Sequence, residues 1–403
     1  MTTIPPPSFG ARLQQAEQKR QELPPLTPEE TSHSLRLIQL LTQEIAANNG
    51  ALDFSRFMHL ALYAPGLGYY AAGKTKLGAA GDFITAPELS PLFGRCLARQ
   101  CAQVLRTLPH GDILEAGGGS GALAVSLLSE LETLNTLPAT YFIIEVSADL
   151  RARQKERIKQ DLPHLYDRVR WLETLPKHGF KGIVLANELL DALPVERFHV
   201  SANGVTQLQV GLQDTAFVWR ERPAAPELAQ RVTPLQLSGG YYSEVNLQAE
   251  AWVQTVAAIL DTGVVLLIDY GFPHAEFYHP QRAQGTLMCH YRHRAHSDPL
   301  ILVGLQDITA HVDFTAMAEA GHAAGLAVLG YTTQAAFLLA CGLMEFAQQS
   351  DPEQIKTHLT LTHQIKKLTL PSEMGELFKV IAFGRNISLP LLGFSLQDRR
   401  GRL

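Results

Sequence analysis

The sequence predicts a Rossmann-like α/β fold: a mostly parallel seven-stranded sheet with helices packed on it, plus a helical N-terminal region and a β-containing insertion. Three observations carry this. Short apolar strands alternate with helical segments along most of the chain, which is the pattern of parallel βαβ units. The first such strand, residues 112–115, runs into a glycine turn, Gly117-Gly118-Gly119-Ser120-Gly121, that opens a helix. The 403 residues, 46% hydrophobic and 18% charged, supply enough apolar surface for a large core.

The elements follow in order. Residues 1–28 read as a flexible polar lead. Over 29–49, Leu35, Ile38, Leu41 and Ile45 recur at helical spacing, and Asn49-Gly50 supplies a stop. A second helix is expected over 54–62, ended by Pro65-Gly66. Residues 66–87 form a long loop rich in Gly, Ala and Thr, and ordered loops of that length are usually functional. Residues 29–94 are thus a helical region carrying a candidate active-site loop.

The first part of the core is expected over 95–197, with strands at 112–115, 141–146, 168–171 and 182–186 and helices at 122–131 and 150–160. An insertion over 198–250 follows, in which 200–208 and 215–220 alternate like antiparallel strands. The second part, 251–403, begins in a helix (250–260) and a strongly apolar strand (263–269). It continues through a polar loop rich in His and Arg (270–313), a helix (314–324) and a strand (326–331). Helices at 334–349 and 351–369 and a last strand at 378–383 complete it.

Composition narrows the function. A formal net charge of −5 does not suit a nucleic-acid or membrane-surface binder, since phosphate neutralisation needs a basic excess. Cys96, Cys101, Cys289 and Cys341 are scattered, with no metal-ligand spacing, and read as reduced thiols. The N-terminal segment lacks an apolar core for a secretory signal, and its acidic residues and prolines argue against a transit peptide. No apolar run is long enough to span a bilayer. A cytoplasmic location is therefore expected. His290, His293 and His296 recur every third residue, but the intervening arginines oppose a divalent ion. No metal is expected, and a solvated loop or a docking patch for an acidic surface is the better reading.

The chemistry centres on strand ends. Glycine at 117, 119 and 121 lets the backbone approach a ligand closely. A dinucleotide-binding turn satisfies the same pattern. Glu115 tips the balance, because it would repel a pyrophosphate but can hold the cationic methionine end of a sulfonium nucleoside. Glu145, at the end of the next strand, can accept both ribose hydroxyls, a feature common to the two ligand classes. The fourth strand runs into Asn187-Glu188-Leu189-Leu190-Asp191, which sets an amide and two carboxylates at the sheet edge where ligands of such folds sit. Helix capping is the plain alternative for Glu115, Asn187 and Asp191, and a solvated strand end that for Glu145.

These residues bring a family into view. Tyr63–Tyr70, Gly81–Glu88, Glu115–Gly121, Asn187–Pro194, Ile268-Asp269-Tyr270-Gly271, Gly285-Thr286-Leu287 and Asp307–Phe314 together resemble the MidA-like methyltransferases. The resemblance spans about Asp53 to Phe314 and extends through the final strand. It implies a class I methyltransferase fold whose last strand runs antiparallel, S-adenosylmethionine as cofactor, and a protein substrate. In mitochondrial members of the family the target is an arginine on a respiratory complex I subunit.

A guanidinium acceptor is planar, charged and very weakly acidic, so carboxylates must grip it and accept a proton as the new bond forms. The candidates are Glu188, Asp191 and Asp82, with His311 and Asp313 from the late loop. The plain alternative for Asp82 is a turn residue, and for His311 a residue of a helix N-terminus. Oligomeric state is open, with a homodimer among the arrangements allowed. Two rivals stand: an NAD-dependent oxidoreductase using the same glycine turn, and a non-catalytic assembly factor that kept the fold.

Overall fold

In Val264-Val265-Leu266-Leu267-Ile268 every side chain is buried, as expected of a strand covered on both faces. The computed structural model describes residues 23–72, 84–349, 351 and 353–403. The described residues divide into two compact units, one within 84–195, 246–283 and 311–403, the other of 23–72, 196–245 and 284–310.

The first unit is built on seven strands: β1 (Asp112–Ala116), β2 (Tyr141–Ile144), β3 (Val169–Leu172), β4 (Phe180–Asn187), β5 (Leu260–Phe272), β6 (Ala327–Thr333) and β7 (Phe378–Arg385). Their order is β3-β2-β1-β4-β5-β7-β6. Strands β1 to β5 pair in parallel, and β7 runs antiparallel to both neighbours. The two-residue strand Val312–Asp313 adds to the carboxyl end of β5. The period of two sorts side chains between the faces. Ile113, Ile183, Leu185, Val264 and Leu266 pack with helices Pro91–Leu105 and Ala122–Thr133 on one side. Leu114, Val184, Val265, Leu267 and Phe383 pack with helices Leu247–Ile259 and Phe314–Ala323 on the other.

Boundaries differ where local chemistry intervenes. The helix expected over 334–349 is two, Gln334–Ala340 and Leu343–Gln348, because Gly342 takes a left-handed φ of 87° between them. At the amino edge of the sheet, Asp112, Gly182 and Gly263 sit side by side on β1, β4 and β5. A Cβ on Gly182 (φ 147°) would overlap the carbonyl oxygen of Asp112. Gly182→Ala is therefore expected to cost about 2–4 kcal/mol, read as a lower urea midpoint with an unchanged m-value.

The second unit carries an antiparallel sheet of Ala51–Asp53, Gly204–Gln213, Glu196–Ser201 and Tyr241–Val245, with Ala216–Pro223 pairing Gly204–Gln213. Phe54 and Phe57, on helix Phe54–Tyr63, pack on Trp219 and Phe217 at 5.1 and 5.4 Å between ring centroids. The strand expected over 200–208 is interrupted. Ser201 pairs Gly204, so Ala202-Asn203 forms a hairpin turn inside it.

The loop expected over 270–313 needs a larger correction. Part of it forms a three-stranded sheet, Arg294–His296, Met288–Tyr291 and Asp307–Thr309. Cys289 and Tyr291 are buried while His290 alternates with them. The turn between the first two strands places Arg292 and His293 at φ 48° and 61°. Hairpin turns with two positive φ values usually announce themselves through Asn or Gly. Here neither is present, so the turn was hidden. Cys289 pairs His296, which puts His290 on the opposite face and His293 in the turn. The three histidines do not converge.

Candidate functional site

Chain order determines where the crevice falls. From β1 the chain steps outward to β2 and β3, then crosses back to β4 on the other side of β1. Loops leaving the carboxyl ends of β1 and β4 therefore diverge, and ligands of open α/β sheets bind at such a point. The register pairs Ala116 with Ala186 and Asn187 with Ile268, so Asn187 stands between the tips of β1 and β5.

The glycine turn meets the conformational demand directly. Gly117, Gly119 and Gly121 have φ values of 73°, 51° and 83°, a region costly for residues bearing a Cβ. Gly118 has a different reason: a Cβ there would lie 3.0 Å from Ile143 and 3.3 Å from Gln154. Glu115, buried near the end of β1, accepts a hydrogen bond from the Tyr141 hydroxyl at 2.8 Å. Burial pushes its carboxyl up to about 7, against the Tyr141 hydrogen bond and with help from the charge of Glu145. Glu145 follows β2. Its Oε1 accepts from Ser147 N at 2.9 Å and its Oε2 from Gln154 Nε2 at 3.2 Å, and burial raises it too.

Buried acids that resist ionisation suit a cationic ligand that restores their charge. Asn187 Oδ1 is buried and finds no donor among the described residues. The glycine cradle, the acids and this orphan acceptor fit the methionine and ribose parts of a sulfonium nucleoside.

Beyond β4 lies a second group. Glu188 is half-buried and holds φ 51°, a left-handed value that costs a non-glycine residue of order 1 kcal/mol and tends to mark functional positions. Its amide donates to Ile268 O at 2.9 Å, and its Oε1 accepts from Asn187 Nδ2 at 3.1 Å and Ala86 N at 3.4 Å. Asp191 is buried, and its Oδ1 has no donor among the described residues. Burial lifts Asp191 to about 6, opposed by a hydrogen bond from Tyr270.

Between them sits Asp269, which sequence reasoning did not single out. Its Oδ2 accepts from Leu190 N at 2.9 Å and Asp191 N at 3.2 Å, and its Oδ1 from Tyr270 N at 2.9 Å. Burial, then the charges of Asp191 and Glu188, raise it well above the usual carboxylate range. The signal was present: an acid ends an otherwise apolar strand, as Glu115 does. Gln154 was also missed, because nothing in a polar helix sequence marks its one buried amide.

The remaining candidates separate. His311 packs between Tyr270 and Phe272, with centroids at 5.1 and 5.3 Å. Asp313 caps helix Phe314–Ala323: its Oδ1 accepts from Thr315 N at 3.1 Å and Ala316 N at 3.2 Å, and its Oδ2 holds His274 Nδ1 at 2.8 Å. With both oxygens so engaged, capping is its visible work. Asp82 lies outside the described residues. Among those residues, no group of three His, Cys, Asp or Glu could hold a metal ion, and no helix is long and apolar enough to cross a membrane.

A doubly wound sheet with this strand order, a glycine cradle and acids on adjacent strand tips defines a class I, nucleoside-cofactor fold. Residues 96–332 match the family model of S-adenosyl-L-methionine-dependent methyltransferases. The chain is 30% identical over 379 residues to the protein arginine methyltransferase NDUFAF7, mitochondrial, of Danio rerio, covering 85% of each chain. It is 26% identical over 433 residues to the Drosophila melanogaster homolog, covering 96% of this chain and 95% of the relative. A crystal structure from Burkholderia thailandensis bound to S-adenosyl-homocysteine superposes with a TM-score of 0.91 at 46% identity, covering 94% of this chain and all of that one. The chain belongs to the family of S-adenosylmethionine-dependent methyltransferases, in its MidA-like branch, and S-adenosylmethionine is its cofactor. The oxidoreductase reading falls away. So does the expected cytoplasmic location, since the curated relatives are named as mitochondrial.

Proposed function

We propose that this enzyme methylates an arginine side chain of a protein, and that Glu188 grips the guanidinium. The observation that carries the reading is the group Glu188, Asp191 and Asp269 at the carboxyl edge, one strand away from the cofactor turn. Carboxylates whose ionisation is opposed first by burial and then, at Asp269, by the charges of Asp191 and Glu188 suit a planar cation. The curated relatives, named protein arginine methyltransferases, support it. The MidA-like resemblance puts an arginine on a complex I subunit first among acceptors to test.

S-adenosylmethionine, when bound, supplies a methyl group activated by its sulfonium. The chain's own residues then orient and desolvate the partners. Gly117, Gly119 and Gly121 would admit the cofactor backbone-close, Glu115 would hold its ammonium, Glu145 its ribose hydroxyls, and Asn187 Oδ1 would take a donor from it. Glu188 accepts hydrogen bonds from the guanidinium and drains the proton it loses. Asp269 anchors the segment that presents Glu188 and Asp191 by accepting from Leu190 N and Asp191 N, and His311 closes the wall beside Tyr270. Mass spectrometry of the host proteome with and without the protein tests the reading. A methyl-arginine lost on deletion and restored by purified enzyme is expected; transfer of labelled methyl to anything but arginine would reject it.

The acids also make cofactor binding pH-dependent. Glu115 has a folded value near 7, above its ordinary 4.5, so the stability tied to its proton is lost as pH rises through that value. A cationic ligand reverses the penalty by drawing the proton off. Affinity should climb with pH up to about 7 and then level, with proton release measurable by titration calorimetry in buffers of different ionisation enthalpy. Glu115→Gln should bind weakly and without that slope.

A further inference from the structure

We propose that Gln154 is a positioning residue of the cofactor site: it locks the Glu145 carboxylate to the glycine turn and so sets the preference for a cofactor bearing both ribose hydroxyls. The inference rests on Glu145 being the ribose-binding acid.

Gln154 lies on helix Ala148–Asp161, whose side chains are mostly exposed or half-buried; only Gln154 and Ile158 are buried. A buried amide is costly unless its groups are bonded, and here they are. Trp171 Nε1 donates to Gln154 Oε1 at 2.9 Å. An indole N–H can only donate, so the amide oxygen must face Trp171 and the amide nitrogen must face away. That nitrogen donates to Gly119 O at 2.9 Å and to Glu145 Oε2 at 3.2 Å. One planar group thus joins the middle of the glycine turn to the acid after β2.

The consequence falls on Glu145. Ser147 N holds its Oε1 at 2.9 Å while Gln154 holds its Oε2. A donor on each oxygen, with a further backbone hydrogen bond from Val146, fixes the plane of the carboxylate. Two adjacent hydroxyls then meet a rigid pair of acceptors. Isosteric methionine fills the same space, but it offers no donor to Gly119 or Glu145. Its thioether sulfur is only a weak acceptor for Trp171. The carboxylate then swings, and the pairing with both hydroxyls is lost.

The test compares S-adenosylhomocysteine with its 2′-deoxy analogue by titration calorimetry on the full-length protein. The wild type is expected to favour the ribose form by about tenfold or more. Gln154→Met should weaken the ribose form toward the analogue and compress the ratio to about two- or threefold, and Trp171→Phe should give an intermediate ratio. If Gln154→Met weakens both ligands equally and the ratio survives, Gln154 only fills space and the proposal is overturned. If Gln154→Met does not fold, Trp171→Phe decides, and an undiminished ratio overturns it likewise. A wild type with no preference, together with unchanged binding in Glu145→Gln, would show instead that Glu145 is not the ribose acid, and the proposal would fall with that reading.

Discussion

Glu188→Gln is expected to lower methyl transfer by about 10²–10⁴-fold in kcat, while S-adenosylmethionine binds within a few-fold of wild type. Glutamine keeps the shape and one acceptor oxygen, so the contacts from Ala86 N and Asn187 Nδ2 survive. What disappears is the charge that holds a guanidinium and the base that takes its proton. A structural explanation of any loss can be removed by a second variant. Glu188 holds φ 51°, where glycine is relaxed and glutamate is not. Glu188→Gly should therefore fold with stability within about 1 kcal/mol of wild type and still be inactive. Single-turnover transfer of labelled methyl, with cofactor binding measured separately, checks both. Undiminished turnover in Glu188→Gln would remove Glu188 from the chemistry.

Much of this site was legible before any coordinates, and for a simple reason. A buried parallel strand is apolar throughout, so a polar residue at its end stands out. Glu115, Glu145 and Asn187-Glu188 are proposed in that way, and the structure sets Glu115 on β1, Asn187 at the end of β4 and Glu188 just beyond it. The turn glycines were legible because three positive φ values within five residues require them. What escaped notice depends on partners distant in sequence. Asp269 earns its place by accepting from Leu190 and Asp191, some 80 residues earlier, and no local pattern encodes that. Asp313 shows the opposite ambiguity. Its position in a quoted motif suggested chemistry, while an Asp just before a helix is also the ordinary N-cap. The hairpin at Arg292-His293 stayed hidden because its turn residues are not those that such turns favour.

Asp269→Ala should be the most destabilising change in the site, by about 3–5 kcal/mol, with activity lost as well. Three backbone amides, of Leu190, Asp191 and Tyr270, donate to this one carboxylate. Alanine strands them in a place where Asp269 itself is almost wholly buried. The segment that presents Glu188 and Asp191 would then lose its anchor to β5. Asp269→Asn separates anchoring from charge. One amide oxygen can still accept, so part of the anchor remains, and the repulsion on Asp191 is relieved. That relief has a definite sign. Asp191 and Asp269 both titrate above their unfolded values, Asp191 near 6. The stability linked to their protons is present below the ordinary aspartate range and is lost as pH rises through the folded values. Between about pH 4 and 7 the wild type should therefore lose more unfolding free energy than Asp269→Asn does. Urea titrations of both proteins across that window measure the difference directly, because Glu115 and Glu145 contribute equally to each and cancel. A variant whose stability falls with pH as steeply as the wild type's would mean that the two aspartates do not repel each other, and the crowded negative patch invoked to attract a guanidinium would lose its physical basis.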